Sequence, residues 1–341
     1  MSLPSPTRRG RRPVRALAAA LLLTLLGTVT ACGSSSDDTG SASSGASADS
    51  GAFPAKVATK FGTVTVPSRP ARVVALGWGD AETALALGVQ PVGQSDWLAF
   101  GGDGTGPWAK GRYDKSPQRI GTLEPEYEKI AALKPDLILD VKSSGDRTRY
   151  DTLSKMAPTI GVPKGSDQYK ISWQKQTTMV SRALGLADEG RKLIAATEAK
   201  SAAAAKAHPE FKGRTITVGS RTSSGWGAYV QGTDRVNFVQ ALGFRNNPDV
   251  DAKAGASFSV DVSEENLQML DADLVVMAPI GVKAAKISAD PLFTSLPAVK
   301  AGHSVVFEGD SVLSRAFATN SVLSVGYAVD HVVPLFAAAL K

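Results

Sequence analysis

The sequence predicts an α/β protein of two lobes, each with a mainly parallel sheet, joined by a single long helix. One observation is a segment that occurs twice, because residues 128–138 align with residues 265–275. Each copy has a glutamate, two apolar residues spaced three apart, and an aspartate that leads into an apolar strand. Another observation is that apolar runs alternate with helical patterns on both sides of a long Ala-rich stretch. Together they indicate two similar lobes with a cleft between them.

The start of the chain has the composition of an export signal. Residues 1–31 combine a basic start without acids and an apolar run over residues 16–26, shorter than the roughly 20 residues of a membrane-spanning helix. The run ends in Val29-Thr30-Ala31-Cys32, which resembles the lipobox of bacterial lipoproteins. Cys32, the one cysteine of the chain, is therefore predicted to carry the lipid. Thr7-Arg8-Arg9 leaves open whether export follows the general or the twin-arginine route.

The net charge and composition of the chain indicate which kinds of molecule it is expected to bind. The formal net charge is +6, and residues 1–31 contribute five arginines and no acid, so the exported chain has a charge of about +1. This balance gives no support to nucleic-acid binding. Residues 32–52 consist largely of Ser, Gly, Ala, Asp and Thr, which predicts a flexible tether between the lipid and the folded part.

The remaining chain divides into two lobes and a connector. The N-terminal lobe is expected over residues 53–186, with a buried strand over residues 72–76 and a helix that Asp80 caps. Residues 187–208 are rich in Ala, Lys and Glu, as in a stiff connecting helix. The C-terminal lobe is expected over residues 209–341, and it ends in an apolar helix.

Several stretches resemble one family. Residues 68–76, 85–93, 120–122 and 128–139 are similar to the iron–siderophore and cobalamin-type substrate-binding proteins of ABC importers. The resemblance implies two α/β lobes joined by one long helix (the class III binding-protein arrangement), with ligand held between the lobes. It also implies that a glutamate on each lobe docks onto arginines of the permease. The matching positions are Glu128 and Glu265, with Glu126 and Glu264 leaving the register open by a residue or two.

Ligands of open α/β lobes bind beyond the carboxyl ends of the strands, so residues that follow the predicted strands are candidates for the site. Tryptophan is more often a core residue and arginine more often a surface charge, but several fall together at these ends. Aromatic rings and Arg donors suit the oxygen-rich face of a ferric siderophore. The predicted ligand-binding residues are Trp78, Trp97, Lys142, Arg221, Trp226, Tyr229 and Arg315.

The resemblance implies an iron(III)–siderophore complex as ligand, with no cofactor. A direct metal site is not expected, because His208, His303 and His331 lie outside the predicted cleft loops. The aromatic residues slightly favour a hydroxamate, and catecholate or mixed siderophores stay open. Cobalamin or haem on the same scaffold is one alternative. A lipoprotein serine hydrolase is another, because Ser172 and Lys175 form an S-x-x-K match, although its accompanying motifs are absent.

The sequence therefore predicts a binding protein rather than an enzyme. It is expected to be lipid-anchored on the extracytoplasmic face of the cell membrane and to act as a monomer. Its expected task is to capture a ferric siderophore and deliver it to an ABC permease with its ATPase.

Overall fold

The computed structural model describes residues 52–166 and 169–341. The predicted signal peptide, the lipidation site at Cys32 and the predicted tether apart from Ala52 lie outside the described residues. The described chain begins with a hairpin of two antiparallel strands, β1 (Ala55–Thr59) and β2 (Gly62–Val66), which form a small sheet of their own. This hairpin leads into the first lobe.

The first lobe is built on a parallel sheet of five short strands in the order β5-β4-β3-β6-β7. Both faces of the sheet are covered, as expected for continuous apolar strands such as Leu137-Ile138-Leu139. Ile138 packs in the cluster with Ile130, whereas Leu137 and Leu139 pack against Met179 and Val180. The strands are β3 (Val73–Ala75), β4 (Gly93–Ser95), β5 (Gln118–Ile120), β6 (Leu137–Leu139) and β7 (Thr159–Ile160).

Five helices accompany this sheet in the described part of the chain before residue 208. The last two are the longest of them, and they pack side by side because Gly190 lets its helix approach Ser181 closely. Their bounds are α1 (Asp80–Ala86), α2 (Tyr127–Ala132), α3 (Arg147–Ser154), α4 (Trp173–Ala183) and α5 (Ala187–Ala207), with a short 3₁₀ turn at Pro107–Ala109. The helix α5 spans about 30 Å and joins the two lobes.

The second lobe has a mixed sheet in the order β11-β9-β8-β12-β13, with β10 paired to the other end of β8. The strands β8, β10, β12 and β13 run parallel, whereas β9 is antiparallel to both β8 and β11. A tight hairpin joins β8 to β9. The strands are β8 (Thr215–Arg221), β9 (Trp226–Tyr229), β10 (Arg245–Asn246), β11 (Ser259–Val262), β12 (Leu274–Pro279) and β13 (Ser304–Val306).

The helices of the second lobe are mostly short. They are α6 (Asp234–Ala241), α7 (Pro248–Asp251), α8 (Ala285–Ser288), α9 (Pro291–Ser295), α10 (Pro297–Lys300), α11 (Val312–Thr319) and α12 (Val322–Ala339), with 3₁₀ turns at Pro209–Phe211 and Glu264–Leu270. In the described part of the chain, α12 is the one helix long and apolar enough to cross a membrane, and half of it is buried inside the protein. Its buried residues belong to the core of the second lobe, together with Ile216 and Val276.

The repeated segment occupies the same place in both lobes. The strands β6 and β12 are each fourth in their five-strand order, beside the first strand of the lobe. Asp136 accepts hydrogen bonds from the N–H groups of Ala71 and Arg72, just before β3. Asp273 accepts them from the N–H and the hydroxyl of Thr215, at the start of β8. The repeated aspartate therefore fixes the start of the neighbouring strand in each lobe.

The prediction that Asp80 caps α1 is wrong. Gly79 occupies the capping position with φ of 80°, and Asp80 is the first residue of the helix. The Asp80 carboxylate is fully buried and accepts hydrogen bonds from the N–H of Val141 and from Gln176 Nε2. Asp80 therefore joins three elements of the first lobe instead of capping its own helix.

Candidate ligand-binding site

A cavity of about 260 Å³ lies between the two lobes, and both contribute to its walls. Eleven residues line it, and most are aromatic or apolar. The first lobe contributes Trp78, Trp97, Leu123, Lys142 and Tyr169, and the second contributes Tyr229, Thr233, Asp234, Arg235, Phe258 and Ala318. The cavity lies where the resemblance to two-lobed binding proteins places the ligand.

The wall from the first lobe is made of three aromatic rings. Trp78 and Trp97 are stacked with their ring centroids 5.7 Å apart and their planes 6° from parallel. The ring of Tyr169 meets Trp97 edge-on at 5.5 Å. Trp97 is held in place by a hydrogen bond of 2.9 Å from its Nε1 to the carbonyl of Leu76, the residue after β3. The buried Nε1 of Trp78 has no hydrogen-bond partner among the described residues.

The opposite wall combines aromatic rings with a guanidinium group. Tyr229 ends β9, and its ring stacks against Phe258 at 6.2 Å. The guanidinium carbon of Arg235 lies 4.4 Å from the centroid of the Tyr229 ring and 5.9 Å from that of Trp78. Arg235 therefore reaches across the cavity from the first turn of α6 and is held between aromatic faces of both lobes.

An ion pair between the lobes forms part of the cavity lining. The ammonium group of Lys142 contacts the carboxylate of Asp234 and donates a hydrogen bond of 3.0 Å to the carbonyl of Thr319. The side chains of Lys142 and Asp234 are only 2% and 11% exposed. Lys142 was expected to offer a cationic donor to the ligand, but its charge is engaged by the second lobe. The segment after β6 that carries Lys142 reaches the cavity as predicted. The ion-pair partner of Lys142, Asp234, belongs to α6 of the second lobe.

Two further carboxylates of α1 are buried near this ion pair. Burial raises the pKa of Asp80 to about 6, although its hydrogen bonds to Gln176 and Val141 act in the opposite direction. Burial also raises the pKa of Glu82, whose carboxylate accepts a hydrogen bond from the Ser321 hydroxyl at the start of α12. The pKa of Asp234 is raised by burial as well, against the lowering effect of Lys142. Both Lys142–Asp234 and Glu82–Ser321 are buried polar contacts between the lobes.

Three predicted ligand-binding residues lie outside the cavity. Trp226 is 2% exposed and stacks on Phe293 in a core of the second lobe. Its predicted loop is in fact strand β9, in which alternate side chains point to opposite faces. Tyr229 therefore faces the cavity and Trp226 faces the core. Arg221 ends β8, where its guanidinium lies 5.1 Å from the Trp226 ring.

Arg315 is the third residue that the structure places elsewhere. Its guanidinium lies 5.3 Å from the ring of Phe100 and 3.5 Å from the carboxylate of Asp310. It occupies α11 rather than a strand-end loop. The helix periodicity therefore decides where the side chain points, and Arg315 does not line the cavity.

Arg235 is the principal lining residue that the sequence reasoning missed. The predicted site residues of this segment end at Tyr229, the last residue of β9, whereas Arg235 lies in the first turn of the next helix. The first turn of the helix that follows a strand also reaches the cavity, and this position in the chain is the signal that identifies Arg235 together with Asp234. Leu123, Tyr169 and Phe258 belong to irregular segments, for which strand and helix patterns give no signal.

The two glutamates expected to face the permease are exposed. Glu128 lies in the first turn of α2 and has no hydrogen bond or ion pair with the residues that the structure describes. Its neighbour Glu126 instead accepts a hydrogen bond from the N–H of Gly121 and pairs with Lys129. Glu265 lies at an open surface groove of about 770 Å³ on the second lobe. Glu264 is exposed beside it.

The S-x-x-K match has a structural explanation. Ser172 is the N-cap of α4, and its hydroxyl accepts a hydrogen bond of 3.3 Å from the N–H of Lys175. A helix cap therefore accounts for the serine of the match. Within residues 52–166 and 169–341, no group of three or more His, Cys, Asp or Glu side chains is placed to hold a metal ion.

Several proteins of similar sequence or structure are named for iron complexes. The chain is 29% identical over 255 residues to the probable siderophore-binding lipoprotein YfiY of Bacillus subtilis, covering 70% of this chain and 75% of that protein. It is 28% identical over 300 residues to the Fe(3+)-citrate-binding protein YfmC of the same organism, covering 86% and 89%. Streptococcus pneumoniae PiaA in complex with ferrichrome superposes with a TM-score of 0.73 at 27% identity, covering 84% of this chain and 98% of PiaA.

A profile of the periplasmic binding protein family matches residues 73–311, which run from the first strand of the parallel sheet to the start of α11. The matched span includes most of the residues that line the cavity and both repeated segments. The chain therefore belongs to the periplasmic binding protein family, and it is a binding protein rather than an enzyme.

Proposed function

We propose that this protein captures a ferric siderophore between its two lobes and delivers it to an ABC permease. The observation that carries the proposal is the interlobe cavity, in which aromatic rings from both lobes surround a space that the Arg235 guanidinium enters. The names of the relatives and the ferrichrome complex of PiaA support an iron chelate as ligand. Iron would arrive already chelated, and the protein would contact the organic shell.

The lining residues suit such a shell. The stacked pair Trp78–Trp97 offers a flat apolar surface, and Phe258 with Tyr229 offers another on the opposite side. Arg235 carries five N–H donors in a planar fork, which matches the oxygen atoms that surround the bound iron. Aromatic packing would supply much of the affinity, and these donors would orient the complex.

The proposal is tested by titrating the purified protein with ferric siderophores while tryptophan fluorescence is recorded. We expect saturable quenching, and we expect Trp78→Ala to weaken binding by about tenfold or more because it removes the ring facing Arg235. Trp173→Phe is the matched control, because Trp173 is buried in the core of the second lobe. Tight binding of cobalamin or haem without binding of any ferric siderophore would contradict the proposal.

We also propose that Glu128 and Glu265 present the docking charges to the permease. Both are exposed, and they occupy equivalent positions in the repeated segment of the two lobes. The charge-reversal pair Glu128→Lys and Glu265→Lys should abolish permease-dependent uptake in cells while ligand affinity stays unchanged. Glu189→Lys on α5 is the matched control, because Glu189 is exposed in the connecting helix. Full uptake with the double variant would exclude this docking surface.

The proposed place of action is the extracytoplasmic face of the cell membrane, with a lipid on Cys32 as anchor and the protein acting as a monomer. The support is the lipobox-like sequence before Cys32 and the lipoprotein name of the relative YfiY. Cys32→Ser should move the protein from the membrane fraction into the soluble fraction, because one acyl-bearing cysteine carries the anchor. Retention of the variant in the membrane would contradict lipid anchoring at this residue.

A further inference from the structure

The cavity contains two cationic side chains, and they differ in whether their charge is available. Lys142 is almost fully buried, and its ammonium group is in contact with Asp234 and hydrogen-bonded to the Thr319 carbonyl. A ligand in the cavity meets this pair as a neutral dipole. The pair is buried between the lobes, so solvent does little to screen it.

The surroundings of Lys142 add no positive charge. The two carboxylates of α1, Asp80 and Glu82, are buried on the same side of the cavity wall, and the charge of Lys142 acts on both. Asp234 faces Lys142 directly and lies next to Arg235 in the chain. Of these three acids, Asp234 is the one in direct contact with the ammonium group, so Asp234 is the acid that compensates the charge of Lys142 beside the cavity.

Arg235 is in a different position. Its guanidinium group is partly exposed to the cavity and has no hydrogen bond or ion pair with any residue in the described part of the chain. Its neighbours are the ring faces of Tyr229 and Trp78, which fix the plane of the guanidinium without using its N–H donors. Of the lining residues, Arg235 is thus the one whose positive charge is directed at a ligand.

We propose that Asp234 determines the charge selectivity of this site. By compensating Lys142, it leaves one available cation, so the site accepts a ferric siderophore complex that is neutral or carries one negative charge and disfavours polyanionic complexes. Iron(III) bound by three hydroxamates is neutral, whereas iron(III) bound by three catecholates carries three negative charges. The inference rests on the proposed function. It goes beyond it by assigning the selectivity to a carboxylate that need not touch the iron.

The test compares a neutral ferric tris-hydroxamate (ferrichrome) with the trianionic ferric complex of enterobactin, by fluorescence titration of the whole protein at fixed ionic strength. We expect the wild-type protein to bind the hydroxamate at least about tenfold more tightly. Asp234→Asn uncovers the charge of Lys142, so the ratio of the two dissociation constants should move toward the catecholate by about tenfold. Arg235→Gln should weaken binding of both complexes.

A double variant separates charge from folding. Asp234→Asn alone leaves a buried ammonium group without its partner and is expected to lower stability, so thermal unfolding is measured for each variant. Lys142→Met combined with Asp234→Asn removes both charges and should restore the wild-type ratio. Asp261→Asn is the control, because Asp261 is exposed on β11 and outside the cavity. Its ratio should equal that of the wild type.

The outcomes distinguish the inference from the proposed function. Wild-type preference for the catecholate complex, or an unchanged ratio in Asp234→Asn, overturns the selectivity role of Asp234 while siderophore binding stands. A double variant that keeps the ratio of Asp234→Asn also overturns it, because the uncovered charge would then be irrelevant. Absence of binding of any ferric siderophore by the wild-type protein overturns the proposed function and this inference together.

Discussion

Asp80 shows how a single side chain can couple the stability of this protein to pH. Its carboxylate is fully buried between α1, the segment after β6 and α4, and it accepts hydrogen bonds from Val141 and Gln176. Burial raises its folded-state pKa from 3.8 to about 6. The folded protein therefore holds this proton more tightly than the unfolded chain does. The contribution of Asp80 to stability falls as the pH rises from about 4 to about 6, and it is constant above that range.

Asp80→Asn should remove this pH dependence. The Asn carbonyl can accept the Val141 N–H, and its amide takes the place of the oxygen to which Gln176 Nε2 donates. The Gln176 amide must then turn to present Oε1, which gives up its hydrogen bond to the Trp78 carbonyl and sets part of the gain against that loss. We expect the variant to be more stable than the wild type at pH 7 by up to about 3 kcal/mol, with the difference disappearing near pH 4. Chemical denaturation between pH 4 and 8 measures it, with Asp261→Asn as control. Parallel pH profiles of variant and wild type would contradict the assignment.

At the residue scale, part of the cavity lining could be predicted from the residues that follow the strands in the sequence. Trp78, Trp97, Lys142 and Tyr229 line the cavity as expected from their places at strand ends. The partner of Lys142 could not be predicted, because Asp234 comes from the other lobe and no local pattern reports contacts between lobes. Which strand positions face the cavity depends on the register of the sheet, and register is set by tertiary pairing.

Among the elements, the repeated segment makes the same hydrogen-bonded contact with a neighbouring strand in both lobes. Each copy ends in an aspartate that binds the N–H groups at the start of the adjacent first strand. The helix before it differs, because the first copy forms the α-helix α2 and the second forms a 3₁₀ turn at Glu264–Leu270. The aspartate and its strand are thus the constant part of the repeat. The sequence alignment predicted the repeat but not the change of helix type, which depends on packing around it.

Asp273→Ala should test the structural role of the repeat. It leaves the N–H and hydroxyl of Thr215 without their acceptor at the start of β8. We expect a loss of about 1–2 kcal/mol in the free energy of unfolding, because both donors are partly buried. Urea denaturation measures the loss. Asp261→Ala is the matched control, and an equal, small effect of both substitutions would show that the Asp273 bonds do not hold the strand.

Most elements could be predicted because their hydrophobic patterns are local. The boundary between α4 and α5 falls at Leu184–Leu186, where Gly185 has a positive φ of 70°, and the sequence indicates that break. The strand β9 was missed because Trp226–Tyr229 is short and contains Gly227, so its pattern resembles a loop. Its pairing with β8 and β11, which no local signal encodes, makes it a strand.

For the whole molecule, several contacts tie the lobes together. The helix α5 is a continuous rod of 21 residues, and α12 of the second lobe packs against both α5 and α1. The buried contacts Lys142–Asp234 and Glu82–Ser321 join the lobes beside the cavity. A wide opening would expose these charged groups without partners, at a cost that disfavours large hinge motion.

Small-angle X-ray scattering should therefore show little change when a ligand binds. We expect the radius of gyration to differ by less than about 1 Å between the free protein and the ferric-siderophore complex. The double variant Lys142→Met with Asp234→Asn lacks one of the ties and serves as comparison for a looser interface. A large compaction of the wild-type protein on binding would contradict a stiff connection between the lobes.

The stacked indoles of Trp78 and Trp97 also have an optical consequence. With ring centroids 5.7 Å apart, the two chromophores exchange excitation energy far faster than either emits light. A ferric complex that accepts this energy from one ring quenches the fluorescence of both rings. Two of the five tryptophans therefore respond to the ligand together. Trp173 and Trp226 lie in the protein cores and provide a steadier background emission. The fluorescence of the Trp78–Trp97 pair therefore reports whether the cavity is occupied.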